Sequence, residues 1–133
     1  MEVLRIKVYL TDSIAVEGRA DKALMLPFTG ECDCPLFRGR ILPGGVDTQR
    51  ITGDGRTALS ARYALEGVDR DGQPCRIFIE NTALSAPGQE MVTQPVIRTD
   101  SAALAWLETA DLTGALQFRE NGLDIVISSE DRP

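Results

Sequence analysis

Alternation of apolar and polar residues at every second position is the feature that most constrains this fold. In residues 4–10, apolar side chains occupy the even positions, and Arg5, Lys7 and Tyr9 lie between them. This period is typical of a strand with one buried face. Similar segments predict further short strands at residues 14–20, 23–29, 36–42, 46–52, 57–66, 75–83, 92–98, 114–119 and 123–128. Nine or ten short strands separated by regular turn signals indicate an all-β sandwich or barrel.

Three Asx-Gly pairs mark the tightest turns of the predicted sheet. They are Asp54-Gly55, Asp71-Gly72 and Asn121-Gly122. Asx-Gly tolerates the positive φ that short hairpin turns require, so we expect the flanking strands to be antiparallel. At the third pair we expect a two-residue turn, which would place Phe118 opposite Ile125 and Leu116 opposite Ile127.

The hydrophobic pattern also selects a register for the hairpin at residues 70–72. A three-residue loop places Tyr63 opposite Ile79 and gathers the apolar side chains on one face. The other face then carries opposite-charge pairs, among them Arg62 with Glu80. A two-residue loop would mix apolar and charged residues on both faces, so we expect the longer loop.

Length and composition suit one folded domain. The chain has 133 residues, of which 43% are hydrophobic and 26% charged, as in ordinary globular proteins. We expect a single domain over residues 1–133 with a frayed tail at residues 129–133. The one predicted helix is short, at residues 101–108, with Asp100 or Ser101 as its N-cap.

Charge and residue usage exclude several function classes. The net charge of −6 disfavours a nucleic-acid partner. No apolar run approaches the roughly 18 residues of a membrane helix, and we expect no signal peptide at the N-terminus. The chain has no histidine, which removes Ser-His-Asp and Cys-His catalysis and most zinc and non-haem iron sites. We therefore expect a cytoplasmic protein with no membrane contact, no cofactor and no metal.

The cysteines are expected to be reduced thiols, because an odd count without a signal peptide favours the cytosol. The segment Cys32-Asp33-Cys34 suggests a metal or redox pair, although a metal would need Cys75 and carboxylates as further ligands. The alternative is that each cysteine packs as a small apolar group. In an extended segment, the first two cysteines face the same side.

The loop at residues 53–55 decides whether a candidate site forms. A three-residue loop places Asp47 opposite Ala61 and in one row with Asn81, with Tyr63 diagonally beside that row. All of them would project to the apolar side. A carboxylate, a phenol and a carboxamide that converge on an apolar surface suit a small-ligand site. A two-residue loop would instead place Asp47 opposite Arg62.

Each candidate residue also has a structural explanation. Asp47 can bond the backbone of the preceding turn, Tyr63 can be a core aromatic, and Asn81 can satisfy backbone groups at a strand end. The wider set of candidate ligand-binding residues adds Gln49, Arg62, Glu80 and Trp106. Within that set, Arg62 and Glu80 also fit a cross-strand pair on the exterior, and the tryptophan also fits a plug at one end of the core.

Several motifs occur together along the chain: TGECDCPLFRG at residues 29–39, LPGGVD at 42–47, ARYAL at 61–65, IFIEN at 77–81 and AWLE at 105–108. As a set, over roughly residues 24–128, they resemble the bacterial and fungal family called domain of unknown function 3237. The chain departs from the family's pattern at Glu31, Thr48 and Glu108, where the family has a glycine, an aromatic residue and an asparagine.

The resemblance implies a closed or nearly closed antiparallel up-and-down β-barrel, similar to the lipocalin-type calycins, with about eight to ten strands and one short helix. It supports Gly44, Gly45, Asp47, Tyr63 and Asn81 as motif positions. It implies little about chemistry, because the family is mostly uncharacterised.

Two function classes remain open. The first is a barrel that binds a small, partly apolar ligand in its lumen, with any chemistry being cofactor-free isomerisation, cyclisation or elimination. Asp47 would then be the base, Tyr63 the donor to a developing oxyanion, and Asn81 the group that orients the substrate. The second class is a non-catalytic structural or interaction barrel with a filled interior. An exposed strand edge further predicts a homodimer.

Overall fold

The computed structural model describes residues 1–131, which form ten strands and a short 3-10 helix, Ala105–Glu108. The strands are β1 Glu2–Leu10, β2 Ile14–Glu17, β3 Asp21–Asp33, β4 Phe37–Ile41, β5 Val46–Thr52, β6 Thr57–Asp69, β7 Pro74–Ser85, β8 Val92–Thr99, β9 Leu112–Arg119 and β10 Gly122–Ser129. In this range, no helix has the length and apolar character to cross a membrane.

The sheet closes into a barrel because β1 pairs with β10 on one side and with β3 on the other. β2 follows β1 along the same side of β3, and β4 and β5 both lie between β3 and β6. The circumference therefore holds eight strands, all antiparallel to their neighbours. The expected all-β antiparallel barrel is confirmed.

The segment LPGG at residues 42–45 is a bulge that separates β4 from β5. Before the bulge, residue 41 pairs with residue 65 of β6, and after it residue 46 pairs with residue 62. Residues 42–45 therefore lie opposite residues 63–64, so this side of the pairing holds two extra residues. Gly44 has a φ of 110°, a conformation that favours glycine. A Cβ on Gly45 would crowd Phe28 and Ile41. The bulge thus requires both glycines and determines which residues of β5 face the interior.

Two of the predicted hairpin registers are confirmed. Tyr63 pairs with Ile79, as the three-residue loop at residues 70–72 requires. Asp47 pairs with Ala61, as the three-residue loop at residues 53–55 requires. The apolar faces of β5, β6 and β7 consequently point together into the barrel.

The register predicted for the last hairpin is wrong. Phe118 lies opposite Leu123 instead of Ile125, and Leu116 lies opposite Ile125 instead of Ile127. The reason is that Gly122 belongs to β10 and not to the turn, since a Cβ at this position would collide with the backbone oxygen of Val8. The register differs by two residues, an even number, so every side chain keeps its predicted face.

The predicted helix at residues 101–108 forms as a single 3-10 turn over its second half. Ser101 precedes it, and its Oγ accepts a hydrogen bond from the Leu104 amide at 3.2 Å. The same hydroxyl donates to Asp69 Oδ2 at 2.7 Å, which ties the segment to the end of β6. We call this end of the barrel, covered by residues 101–108, the closed end.

The first residue of the predicted frayed tail is part of the barrel instead. Ser129 is the last residue of β10, is 2% exposed, and its amide donates to the Met1 carbonyl at 2.9 Å. The last two residues of the predicted tail, 132 and 133, lie outside the described residues.

The core fills the closed end of the barrel. Phe37, Leu65, Ile77, Leu104 and Leu107 are each no more than 1% exposed there. The opposite end, which we call the open end, is formed by the turn at residues 53–56, the loop at 86–91 and the turn at 120–121. The interior is therefore packed on one side and accessible on the other.

Candidate functional site

A cavity of about 250 Å³ enters the barrel from the open end. Most of its wall is apolar, and Leu26, Phe28, Leu59, Leu116 and Ile125 belong to it. Its polar members are Asp47, Gln49, Thr57 and Asn81. A concave, mostly apolar space with a few polar groups is the usual form of a small-molecule site. All three residues of the predicted row, Asp47, Ala61 and Asn81, therefore meet in one cavity.

Asp47 lines this cavity, and one of its carboxylate oxygens has no hydrogen-bond partner among residues 1–131. Its Oδ2 accepts a hydrogen bond from Gln49 Nε2 at 2.8 Å. Its Oδ1 is buried and has no hydrogen-bond partner among residues 1–131. Burial raises the pKa of the Asp47 carboxyl, against the opposing effect of the Gln49 hydrogen bond. The expected inward orientation of Asp47 is found.

Asn81 lies on the far side of Ala61 from Asp47. It is 1% exposed, and within the described chain its Oδ1 has no hydrogen-bond partner. The two polar residues are two strand spacings apart, roughly 10 Å. Because the residue between them is an alanine, they border a shallow floor with room for a flat ligand.

Tyr63 lies beneath the cavity and does not line it. Its ring meets Phe28 edge-on, with centroids 5.3 Å apart, and Phe28 forms part of the wall above. Its hydroxyl is buried and unpaired within residues 1–131. Burial, followed by the nearby Cys32, raises the pKa of this phenol, so it stays protonated. The catalytic donor role expected of Tyr63 stays a prediction.

Arg62, Glu80 and Trp106 do not share this cavity. Arg62 and Glu80 pair across β6 and β7 on the outer face, because their neighbours along each strand point inward. Trp106 belongs to the 3-10 helix and packs on the core at the closed end. Of the wider candidate set, the structure places only Gln49 beside Asp47.

A larger depression of about 530 Å³ lies on the outside of the barrel, next to the turn at residues 53–56. Arg50, Arg56 and Leu84 line it, and it opens broadly to solvent. None of the buried polar atoms that lack a partner in residues 1–131 belongs to it. The smaller lumen cavity is therefore the better candidate site.

Sequence reasoning missed most of the apolar wall. Phe28 falls in a predicted strand, but its inward position depends on pairing between β3 and β1. Met91 comes from the loop at residues 86–91, which carries no periodic signal. The part of the chain that the structure describes contains no group of three or more side chains suited to a metal ion.

Residues 2–92 match a family described as "Protein of unknown function (DUF3237)". The chain belongs to the DUF3237 family. A curated relative, a UPF0311 protein of Clostridium acetobutylicum, is 39% identical over 56 residues, which are 42% of this chain. The match spans about a third of that relative's length, 33%.

Solved structures share the DUF3237 barrel at low sequence identity. A protein of unknown function from Clostridium acetobutylicum has a TM-score of 0.83 and 23% identity, over 97% of this chain and 96% of that one. A β-barrel-like protein from Acinetobacter baumannii has a TM-score of 0.76 and 19% identity, over 96% and 92%. A protein described as an enzyme from Penicillium herquei has a TM-score of 0.71 and 15% identity, over 96% and 92%. These likenesses establish the fold alone.

The three departures from the DUF3237 pattern all lie away from the cavity. Glu31 accepts a hydrogen bond from the Tyr9 hydroxyl at 2.9 Å. Thr48 donates to the Ser60 carbonyl at 3.1 Å, and Glu108 accepts from an amide of β8 at 3.0 Å. Each side chain has a local structural partner, and none of the three lines the cavity.

The raised pKa of Asp47 predicts that Asp47→Asn stabilises the protein at neutral pH. An aspartate whose folded pKa exceeds its unfolded value, about 3.9, lowers stability as pH rises through the folded pKa. The neutral asparagine removes this cost. The urea concentration at the midpoint of unfolding should therefore be higher for Asp47→Asn than for wild type at pH 7, and this difference should shrink at pH 4. Asp71→Asn, in an exposed turn, is the matched control with little expected effect. A loss of stability at pH 7 would show that Asp47 is a structural anchor.

Proposed function

We propose that this protein binds a small, partly apolar ligand in its barrel lumen and that Asp47 acts there as a general base. The observation that carries the proposal is that Asp47, which lines a cavity of about 250 Å³, has a buried Oδ1 without a hydrogen-bond partner in residues 1–131. This volume is slightly below the usual range of ligand pockets, about 300–1,000 Å³, and suits a ligand of one or two rings.

The unpaired oxygens indicate the polar character of the ligand. A buried acceptor without a partner costs roughly 1–3 kcal/mol, which a ligand donor would recover. Asp47 Oδ1 and Asn81 Oδ1 are two such acceptors, on opposite sides of the floor. A flat ligand with a hydroxyl or an acidic C–H at its edge would complement them, and Gln49 would hold the carboxylate in place.

Acid–base chemistry follows from the environment of Asp47. Apolar surroundings favour the protonated form of the carboxyl, so ionised Asp47 is a stronger base here than on the surface. The chemistry we propose is a cofactor-free isomerisation, cyclisation or elimination that begins with proton abstraction. The description of a structural neighbour as an enzyme supports a catalytic role. The alternative is a barrel that only binds its ligand or serves as a structural module.

A carbon acid of suitable shape tests the proposed base without knowledge of the natural substrate. We expect this protein to accelerate exchange of the α-protons of 2-tetralone in D2O, followed by proton NMR. Asp47→Asn should lower the protein-dependent rate by about 10²-fold, whereas Asp71→Asn should retain it. A wild-type rate equal to that of buffer would count against catalysis by this carboxylate.

Assembly and location remain proposals as well. Within residues 1–131, β2 pairs only with β3, and its Ile14 and Val16 are 47% and 63% exposed, which leaves an apolar edge for a second copy. We therefore keep the homodimer as a prediction, and light scattering that shows a monomer at high protein concentration would contradict it. Free cysteines favour the cytoplasm as its compartment.

A further inference from the structure

The hairpin between β3 and β4 brings two thiols into contact at a place separate from the lumen cavity. Cys32 is in β3, and Cys34 is the first residue after that strand. The amide of Cys34 donates to the Phe37 carbonyl at 3.0 Å, and the Phe37 amide donates back to Cys34 at 3.2 Å. This tight turn bends the chain at Cys34 and places its Sγ 3.5 Å from Cys32 Sγ.

The two sulfurs differ in access and in hydrogen bonding. Cys32 is 3% exposed and belongs to the core. Cys34 is half-buried and borders a surface depression of about 450 Å³. The Arg5 backbone N–H donates to Cys34 Sγ at 3.2 Å, and the Cys32 thiol is within reach of both Cys34 Sγ and the Phe37 carbonyl. An accessible sulfur with an N–H donor and a second thiol beside it is an arrangement that stabilises a thiolate.

Hydrogen bonds and charged groups around the depression also affect the ionisation of the Cys34 thiol. The Cys32 hydrogen bond, assisted by the Arg5 amide, lowers the pKa of the Cys34 thiol to about 6, against burial and the carboxylates of Glu2 and Asp33. Hydrogen bonding to Cys34 and then burial raise the pKa of Cys32. The remaining charged groups on the rim are the side chains of Arg5, Lys7 and Glu31. At neutral pH the accessible cysteine is therefore the nucleophile, and the buried one keeps its proton.

We propose that Cys32 and Cys34 form a redox-active dithiol that closes to a disulfide by exchange with a low-molecular-weight disulfide. Cys34 thiolate attacks one sulfur of the small disulfide, forms a mixed disulfide and releases one thiolate. Cys32 then loses its proton to solvent and attacks Cys34 Sγ, which releases the second thiolate. Two cysteine thiols are oxidised by two electrons, and one small disulfide is reduced to two thiols.

The geometry needed for closure is nearly present. The sulfurs must approach from 3.5 Å to the disulfide bond length of about 2.05 Å, which rotation of the Cys34 side chain at the strand end can supply. Cys75 is remote from this pair in sequence, is 5% exposed, and has no sulfur partner in residues 1–131. It serves as the matched control.

Oxidised glutathione is a suitable probe. After incubation of the native protein, free thiols are alkylated with N-ethylmaleimide and counted by intact mass spectrometry. We expect wild type to keep one free thiol and to carry no glutathione, and Cys75→Ser to keep none. Cys32→Ser should hold one glutathione on Cys34, because no second thiol can displace it. Cys34→Ser should keep both remaining thiols free.

The wild-type result decides the outcome even if a serine variant folds poorly. Three free thiols after incubation, or a stable glutathione adduct on wild type, would overturn the proposal.

Iodoacetamide gives a second measurement on the wild type. Cys34 should be alkylated at least about tenfold faster than Cys75 at pH 7, and its rate should fall as the pH is lowered through the depressed pKa of the Cys34 thiol. Equal rates for the two cysteines would contradict an activated Cys34.

Discussion

The substitution Ala61→Leu should weaken binding of 2-naphthol, a two-ring phenol whose rings suit the apolar wall and whose hydroxyl suits Asp47. Ala61 is 6% exposed and forms the floor between Asp47 and Asn81. A larger side chain there projects into the cavity of about 250 Å³ and takes the space a flat ligand needs. We expect the affinity, measured by isothermal titration calorimetry, to fall by about tenfold or more, or at least 1.4 kcal/mol.

Ala64→Leu is the matched control for this experiment. Ala64 lies on the same strand but on the outer face, opposite Phe78. The same increase in volume at this position should leave 2-naphthol binding unchanged. Equal affinities for wild type and Ala61→Leu would place the binding site outside the lumen.

The substitution Phe37→Ala should produce the largest loss of stability. Phe37 is 1% exposed and is one of the largest side chains in the packed closed end. Truncation of a buried phenylalanine costs about 3–5 kcal/mol, a large share of the roughly 5–15 kcal/mol that stabilises a typical protein. We expect the midpoint of thermal unfolding to fall by about 10 °C or more.

Phe118→Ala removes the same side chain from an exposed position. Phe118 is 78% exposed at the open end, so its thermal midpoint should stay close to wild type. If Phe37→Ala and Phe118→Ala have the same midpoint of thermal unfolding, the closed end is not the packed core of the barrel.

Local pattern was sufficient to predict most of the barrel. Alternation identified the strands, and the requirement for one apolar face selected the correct three-residue loops, which pair Tyr63 with Ile79 and Asp47 with Ala61. Both registers depend only on neighbouring strands. The register predicted for the last hairpin was wrong because Gly122 is needed where β10 closely approaches Val8. Val8 lies on a strand more than a hundred residues earlier in the chain.

The part of the candidate site that adjacent hairpins form was also predictable from local pattern. The row of Asp47, Ala61 and Asn81 follows from adjacent hairpins, and the structure retains it. The position of Tyr63 below the wall depends on Phe28, which β1 and the bulge at residues 42–45 bring into place. Cavity volume likewise depends on long-range packing, which alternation alone does not encode.

Titration of the Asp47 carboxyl by carbon-13 NMR tests the central claim most directly. We expect a midpoint above the ordinary aspartate value of about 3.9 in the free protein. Saturating 2-naphthol should lower this midpoint, because its hydroxyl donates to the charged form. Saturating naphthalene, which has the same shape and no donor, should raise it by removing water. A midpoint that neither compound shifts would contradict a ligand site in the lumen at Asp47.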